Sequence, residues 1–168
     1  MDPILDKARA SQNELEKLAN QIPGFKGYRE RELRRDADRL QREHLANRLD
    51  ETKKSLNEIA AAITRSGSLD LINDVETARK RLDKVANRIR YADRGYSGFF
   101  DTIKVDEAVL ARIYQFDLEL LGGVDDVHTA APAAAAAPTK EALQSLIQRI
   151  DALDTRLADR EAILSGVK

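Results

Sequence analysis

From Tyr28 to Ser66 the chain runs without a glycine or a proline, and its apolar residues keep a helical period throughout. The single helix this predicts is about 58 Å long at ~1.5 Å per residue. Isolated helices are marginal in water, so such a helix must be covered by others along much of its length. Its apolar residues fall into two sets. Leu33, Ala37, Leu40 and His44 share one face, and Leu45, Leu49, Thr52, Leu56, Ile59 and Ile63 share another. The second face is rotated by roughly 100° from the first. Two faces predict two covering partners, or a bend near His44. The expected partners are the helix before it on the first face and the helix after it on the second.

The rest of the chain is punctuated by glycine and proline. Asp2-Pro3 reads as an N-cap and a first-turn proline, followed by Ile4, Ala8, Leu15, Leu18 and Ile22 on one stripe and a stop at Pro23-Gly24. Gly67 suits the left-handed residue that ends a helix, and Ser68 suits the cap of the next. The third helix carries Leu69, Ile72, Val75, Leu82, Val85 and Ile89 and ends by Gly95. The fourth, capped by Asp106, has a broad stripe of Val109, Leu110, Ile113, Tyr114, Phe116, Leu120 and Leu121, with an expected stop at Gly122-Gly123. Composition then shifts to an Ala/Pro segment, and Thr139 opens a last helix. That helix bears a heptad seam of Leu143, Leu146, Ile150, Leu153, Leu157 and Leu164, interrupted by Arg160. No alternation of strand type occurs. The expectation is an all-α, elongated antiparallel bundle over residues 1–123, with one long helix that can bend. An Ala/Pro linker follows at 124–138, then a C-terminal amphipathic, coiled-coil-like helix at 139–168.

Charge and composition narrow the function classes. The chain has 28 Lys and Arg against 29 Asp and Glu, a net charge of −1, which excludes a uniformly basic nucleic-acid binder. It has no cysteine, so disulfides, thiolate metal sites and cysteine catalysis are excluded. Met1-Asp2-Pro3 lacks the basic and apolar segments of a signal peptide, and no apolar run approaches the ~18 residues of a membrane span, so the expected location is cytoplasmic. Charge comes in blocks: net +3 over 26–42, net +5 over 79–94 and net −5 over 101–128. The plainest reading has the acidic fourth helix neutralise the basic third beside it. The aromatics cluster by the loops at one end, where they either seal the bundle or form a recognition surface with nearby arginines. The candidate interaction surface is Phe25, Lys26, Tyr28, Arg29, Arg34, Arg35, Arg90, Arg94, Tyr96 and Phe99. Arg34 and Arg35 crowd a helix start, where the helix dipole disfavours cations. They are expected to meet acids of the 101–107 loop or the fourth helix, or an anion held on Gly24-Phe25-Lys26-Gly27.

Signals for catalysis and metal are weak. Asp125-Asp126-Val127-His128 offers three ligand types but reads as a solvated helix end. Asp36 and Asp38 lie about 200° apart on a helix and cannot share a site. No Glu-x-x-His occurs, against a di-iron bundle. No catalytic, cofactor-binding or metal residue is assigned, and no cofactor or small-molecule substrate is expected.

The stretch from Pro23 to Arg35, with Arg90-Tyr91-Ala92-Asp93-Arg94-Gly95-Tyr96-Ser97-Gly98-Phe99-Phe100-Asp101, resembles small all-helical bacterial proteins that carry no established function. The resemblance covers the chain up to about Gly122 and implies a bacterial, cytoplasmic setting. The expected function is a non-enzymatic helical scaffold or adaptor. It would self-associate through the seam Leu143, Leu146, Ile150, Leu153, Leu157 and Leu164, or dock there on a protein partner. The alternative is a binder of nucleic acid or anionic membrane through the basic, aromatic-rich end.

Overall fold

The structure is a computed structural model that describes residues 3–92 and 107–164. The described residues form an all-α bundle of five helices: α1 (Pro3–Gln21), α2 (Arg34–Ser66), α3 (Ile72–Arg90), α4 (Glu107–Ala136) and α5 (Lys140–Leu164). The long helix is present and unbroken. It starts later than Tyr28, after a short 3-10 turn at Arg31–Leu33, and its 33 residues span about 50 Å. Gly67 ends it in the left-handed conformation at φ 73°, and the Ser68 N–H returns to the Ile63 carbonyl. That is the helix stop the sequence predicts. Ser68 makes no side-chain cap; a 3-10 turn at Leu69–Leu71 leads into α3 instead. Thr139 does cap α5, accepting from the Ala142 N–H at 3.1 Å.

The partners of α2 differ from expectation. α3 and α4 flank its second face from either side, Leu33, Leu40 and His44 of the first face are only half-buried, and α1 packs on α4 instead of α2. α5 packs on α3 and α4. α2, α3, α5 and α4 therefore sit in that order around a common axis, with α1 laid against the outside of α4. Contacts fix the directions. Gln41 meets Asp117 and Arg48 meets Asp125, so α2 and α4 run parallel; Arg156 meets Glu119 and Arg160 meets Asp117, so α5 is antiparallel to α4. α3 and α4 are diagonal across the bundle. The basic block of α3 is consequently neutralised by α5 and α2, and not by α4. Arg81 pairs with Asp151, Arg88 with Asp154 and Glu161, and Arg90 with Asp50.

The linker expected at 124–138 is a correction. α4 passes through Gly122-Gly123 and continues to Ala136, and only Ala137–Thr139 connect it to α5. Two physical causes override the composition. Val124, Val127, Ala131 and Ala134 are buried at spacings of 3, 4 and 3, so the apolar stripe of α4 carries on through the segment. Alanine is also the best helix former. Pro132 lies on the exposed side of this helix. Its ring still removes one helical hydrogen bond and crowds the carbonyl four residues earlier. Pro132→Ala is therefore expected to raise stability by roughly 1–2 kcal/mol, the helical gain being partly offset by a freer unfolded chain. Urea unfolding measures this; an unchanged midpoint would fit a flexible linker and contradict the helix.

The C-terminal helix is likewise no tethered appendage. Leu143, Leu146, Ile150, Leu153 and Leu157 are all buried in the bundle core. The seam read as an association surface is spent on α3 and α4, while the Leu164 side chain lies outside the described residues. A heptad seam states only that a helix buries one stripe; it does not say on which partner. The short connection places α5 beside its own bundle.

Candidate functional site

The most unusual chemistry of the molecule lies inside it. Tyr28 and Asp117 have no exposed surface, and Asp38, Gln41 and Arg160 are nearly as buried. Arg160, from α5, reaches across the bundle axis. Its Nε donates to Asp117 at 2.6 Å, and one terminal nitrogen donates to Asp38 at 2.9 Å and to the Tyr28 hydroxyl at 3.2 Å. The Tyr28 hydroxyl donates to the other Asp117 oxygen at 2.6 Å, and Gln41 donates to Asp117 at 3.0 Å. Asp38 also accepts from Arg42 at 2.7 Å, one helical turn on. A second Arg42 nitrogen caps α3 by donating to the Arg90 carbonyl at 2.8 Å. Among the described residues two arginines face two aspartates, so their formal charges balance. Burial pushes the Asp117 carboxyl up against the pull of Arg160, and pushes the Tyr28 hydroxyl well up, so Tyr28 remains a hydrogen-bond donor.

The loop before α2 is built onto this cluster. Tyr28 stacks on Tyr114, with ring centres 5.6 Å apart, and meets Phe25 edge-on. Its backbone N–H donates to the Tyr114 hydroxyl at 2.9 Å. Gly27 sits at φ +84°, where a side chain would collide with the Tyr114 hydroxyl and lie 2.9 Å from Leu15. Only glycine fits there. Arg34 turns back to donate to the Tyr28 carbonyl at 2.7 Å and the Arg29 carbonyl at 3.4 Å. The crowding of cations at this helix start is thus met, for Arg34, by backbone carbonyls. The acidic side chains of the 101–107 loop, the other partners expected for Arg34 and Arg35, lie outside the described residues.

The structure divides the candidate basic, aromatic surface. Phe25, Tyr28 and Arg34 are buried, and Arg90 is paired with Asp50. Lys26, Arg29 and Arg35 are exposed. Arg94, Tyr96 and Phe99 lie outside the described residues. Asp125, Asp126 and His128 diverge: Asp125 accepts from Arg48 at 2.7 Å, His128 lies 3.2 Å from the Thr52 hydroxyl, and Asp126 faces the opposite way. Among the described residues no group of three or more His, Asp or Glu side chains is placed to hold a metal. No helix among them is long and apolar enough to cross a membrane.

An open surface lies beside the internal cluster. Between α4 and α5 lies a groove of about 370 Å³ lined by Glu119, Gly122, Gly123, Asp126, Arg149, Ala152, Leu153 and Arg156. The two glycines differ. A side chain at Gly123 would press to 3.2 Å from Leu153, so this glycine lets α5 approach. A side chain at Gly122 would meet nothing within 4 Å. Arg156 pairs with Glu119 at 3.0 Å, whereas the exposed Asp126 and Arg149 have no hydrogen bond or ion pair to a described residue. Sequence reading missed this groove because Gly122-Gly123 read as a helix stop. No family model, no curated protein and no solved structure matches this chain.

Proposed function

We propose that the chain is a non-catalytic helical adaptor of the bacterial cytoplasm that binds protein through the α4–α5 groove. The setting is the one its sequence resemblance implies. The observation that carries the reading is the groove itself: two charged walls in which Asp126 and Arg149 have no partner among the described residues, over a helix-interior glycine that no contact among those residues requires. Glycine within a helix is costly, so its presence at Gly122 favours close approach by something outside the chain. The internal Arg160 cluster supports the same reading, because a frame that holds its helices in fixed register suits a surface that must keep its shape. Catalysis needs reactive groups open to a substrate, whereas the titratable cluster here is sealed.

In-cell photocrosslinking tests this. A photoreactive residue at Arg149 is expected to give protein adducts of discrete mass. The same residue at Glu58, exposed on α2 away from the groove, is expected to give none. Adducts from neither position, or equally from both, would overturn the reading.

A further inference from the structure

We infer that the α4–α5 groove is a self-docking surface, on which a second copy of the chain seats about a two-fold axis running along the groove, so that α4 of each copy lies on α5 of the other. The inference rests on the adaptor reading and names the partner. Its warrant is the sign and order of the charges. The α4 wall presents Glu119, Gly122 and Asp126; the α5 wall presents Arg149, Ala152 and Arg156. Each set is spaced by three and four residues, so each is one face of its helix. The two helices run antiparallel, with Glu119 against Arg156 and Gly123 against Leu153, which puts Asp126 and Arg149 together at the far end.

An interface between two copies related by a two-fold axis must be complementary to itself. Rotation about an axis along the groove exchanges the walls and preserves the level. Asp126 then faces Arg149 of the second copy, and Arg149 faces its Asp126. The Glu119 and Arg156 pairs become a four-membered charge cluster. Rotation about an axis across the groove would instead set acid wall on acid wall and basic on basic, which charge repulsion forbids. The pattern thus selects one of the two arrangements. At the midpoint Gly122 meets Ala152 of the second copy, two small residues that let helix backbones approach closely. This gives Gly122 the contact it lacks inside its own chain. The surface is distinct from the Leu143–Leu157 seam, which α5 buries in its own core.

Sedimentation of the full chain at ~100 μM tests the inference, a concentration at which even a ~10 μM dimer is mostly assembled. The wild-type chain is expected to sediment as a dimer. Asp126→Arg and Arg149→Asp are each expected to be monomeric, since each places like charges at both symmetry-related contacts. An equimolar mixture of the two variants is expected to recover the dimer, because every contact then joins opposite charges. Gly122→Leu, which fills the groove without touching the core, is expected to be monomeric with an undiminished urea midpoint. A wild-type chain that is monomeric, or a dimer unaffected by both charge variants, would overturn self-docking. A monomeric chain that still gives a foreign-protein adduct from position 149 would remove self-docking and leave the adaptor standing. A monomeric chain with no adduct would remove both.

Discussion

Arg160→Ala is expected to lower the stability of the bundle by about 3–5 kcal/mol, the range for removing one partner of a buried ion pair. A domain of this kind has ~5–15 kcal/mol in all, so much of the chain's margin would go. The cause is what the substitution leaves behind. Asp117 and Asp38 would keep their burial and lose the guanidinium that offsets it. Asp117 would retain Tyr28 and Gln41, and Asp38 would retain Arg42, so neither carboxylate is orphaned outright. Arg160→Lys should fall between alanine and wild type, because a single ammonium cannot fork to both carboxylates from one planar group. The control is Arg156→Ala, one turn earlier on the same helix. Arg156 pairs with Glu119 in the open, and surface pairs of this kind are worth ~0–1 kcal/mol. Arg160→Ala combined with Asp117→Asn should cost less than the sum of the two changes, since both disrupt one network. Urea unfolding of the set decides the matter. Equal losses from Arg156→Ala and Arg160→Ala would show that the buried cluster is not a lock.

Much of the frame was legible from helical period alone. The long α2, the Gly67 turn and the Thr139 cap are local features, and local features are what a sequence displays. The pairing of helices is not local. Charge blocks suggested that α4 neutralises α3, yet those helices are diagonal, and the acids that serve Arg81 and Arg88 lie on α5. Nothing in a list of charges says which helix lies next to which. The Ala/Pro segment failed for a different reason. Its composition is that of a linker, but Val124, Val127, Ala131 and Ala134 extend the stripe of α4, and the period decides.

The buried cluster was half visible. Asp117 stands in the apolar stripe of α4, between Tyr114 and Leu120, and Arg160 occupies a seam position on α5. A charge on an apolar stripe of one helix invites a search for its opposite on another. Asp38 and Asp36 part as helix geometry requires: Asp38 is buried with Arg42, while Asp36 stays exposed near Arg39. No sequence rule could bring Tyr28, Asp38, Asp117 and Arg160 to one point, because that depends on the crossing of three helices and a loop.

Ile150→Asp is expected to unfold the monomer, with a loss above ~4 kcal/mol, whereas Arg149→Asp, one residue away, is expected to leave its stability within about 0.5 kcal/mol. Ile150 has no exposed surface and packs in the core that α5 shares with α3 and α4. Aspartate there would forfeit the buried side chain and place a carboxylate where no partner waits. Arg149 is exposed and has no partner within the described chain, so its change touches no internal contact. The two positions are 100° apart on one helix, and their contrast reads the phase of α5 directly. The contrast also separates the two roles the last helix was expected to play. If its leucine seam were an association surface on a tethered helix, Ile150→Asp would dissociate an oligomer and leave residues 1–123 folded. If α5 is part of the core, the same change abolishes the cooperative transition itself, and it is Arg149→Asp that leaves a folded monomer. Circular dichroism and sedimentation on the same samples distinguish these outcomes. A fully folded Ile150→Asp chain with reduced native mass would return α5 to the role of a free docking arm.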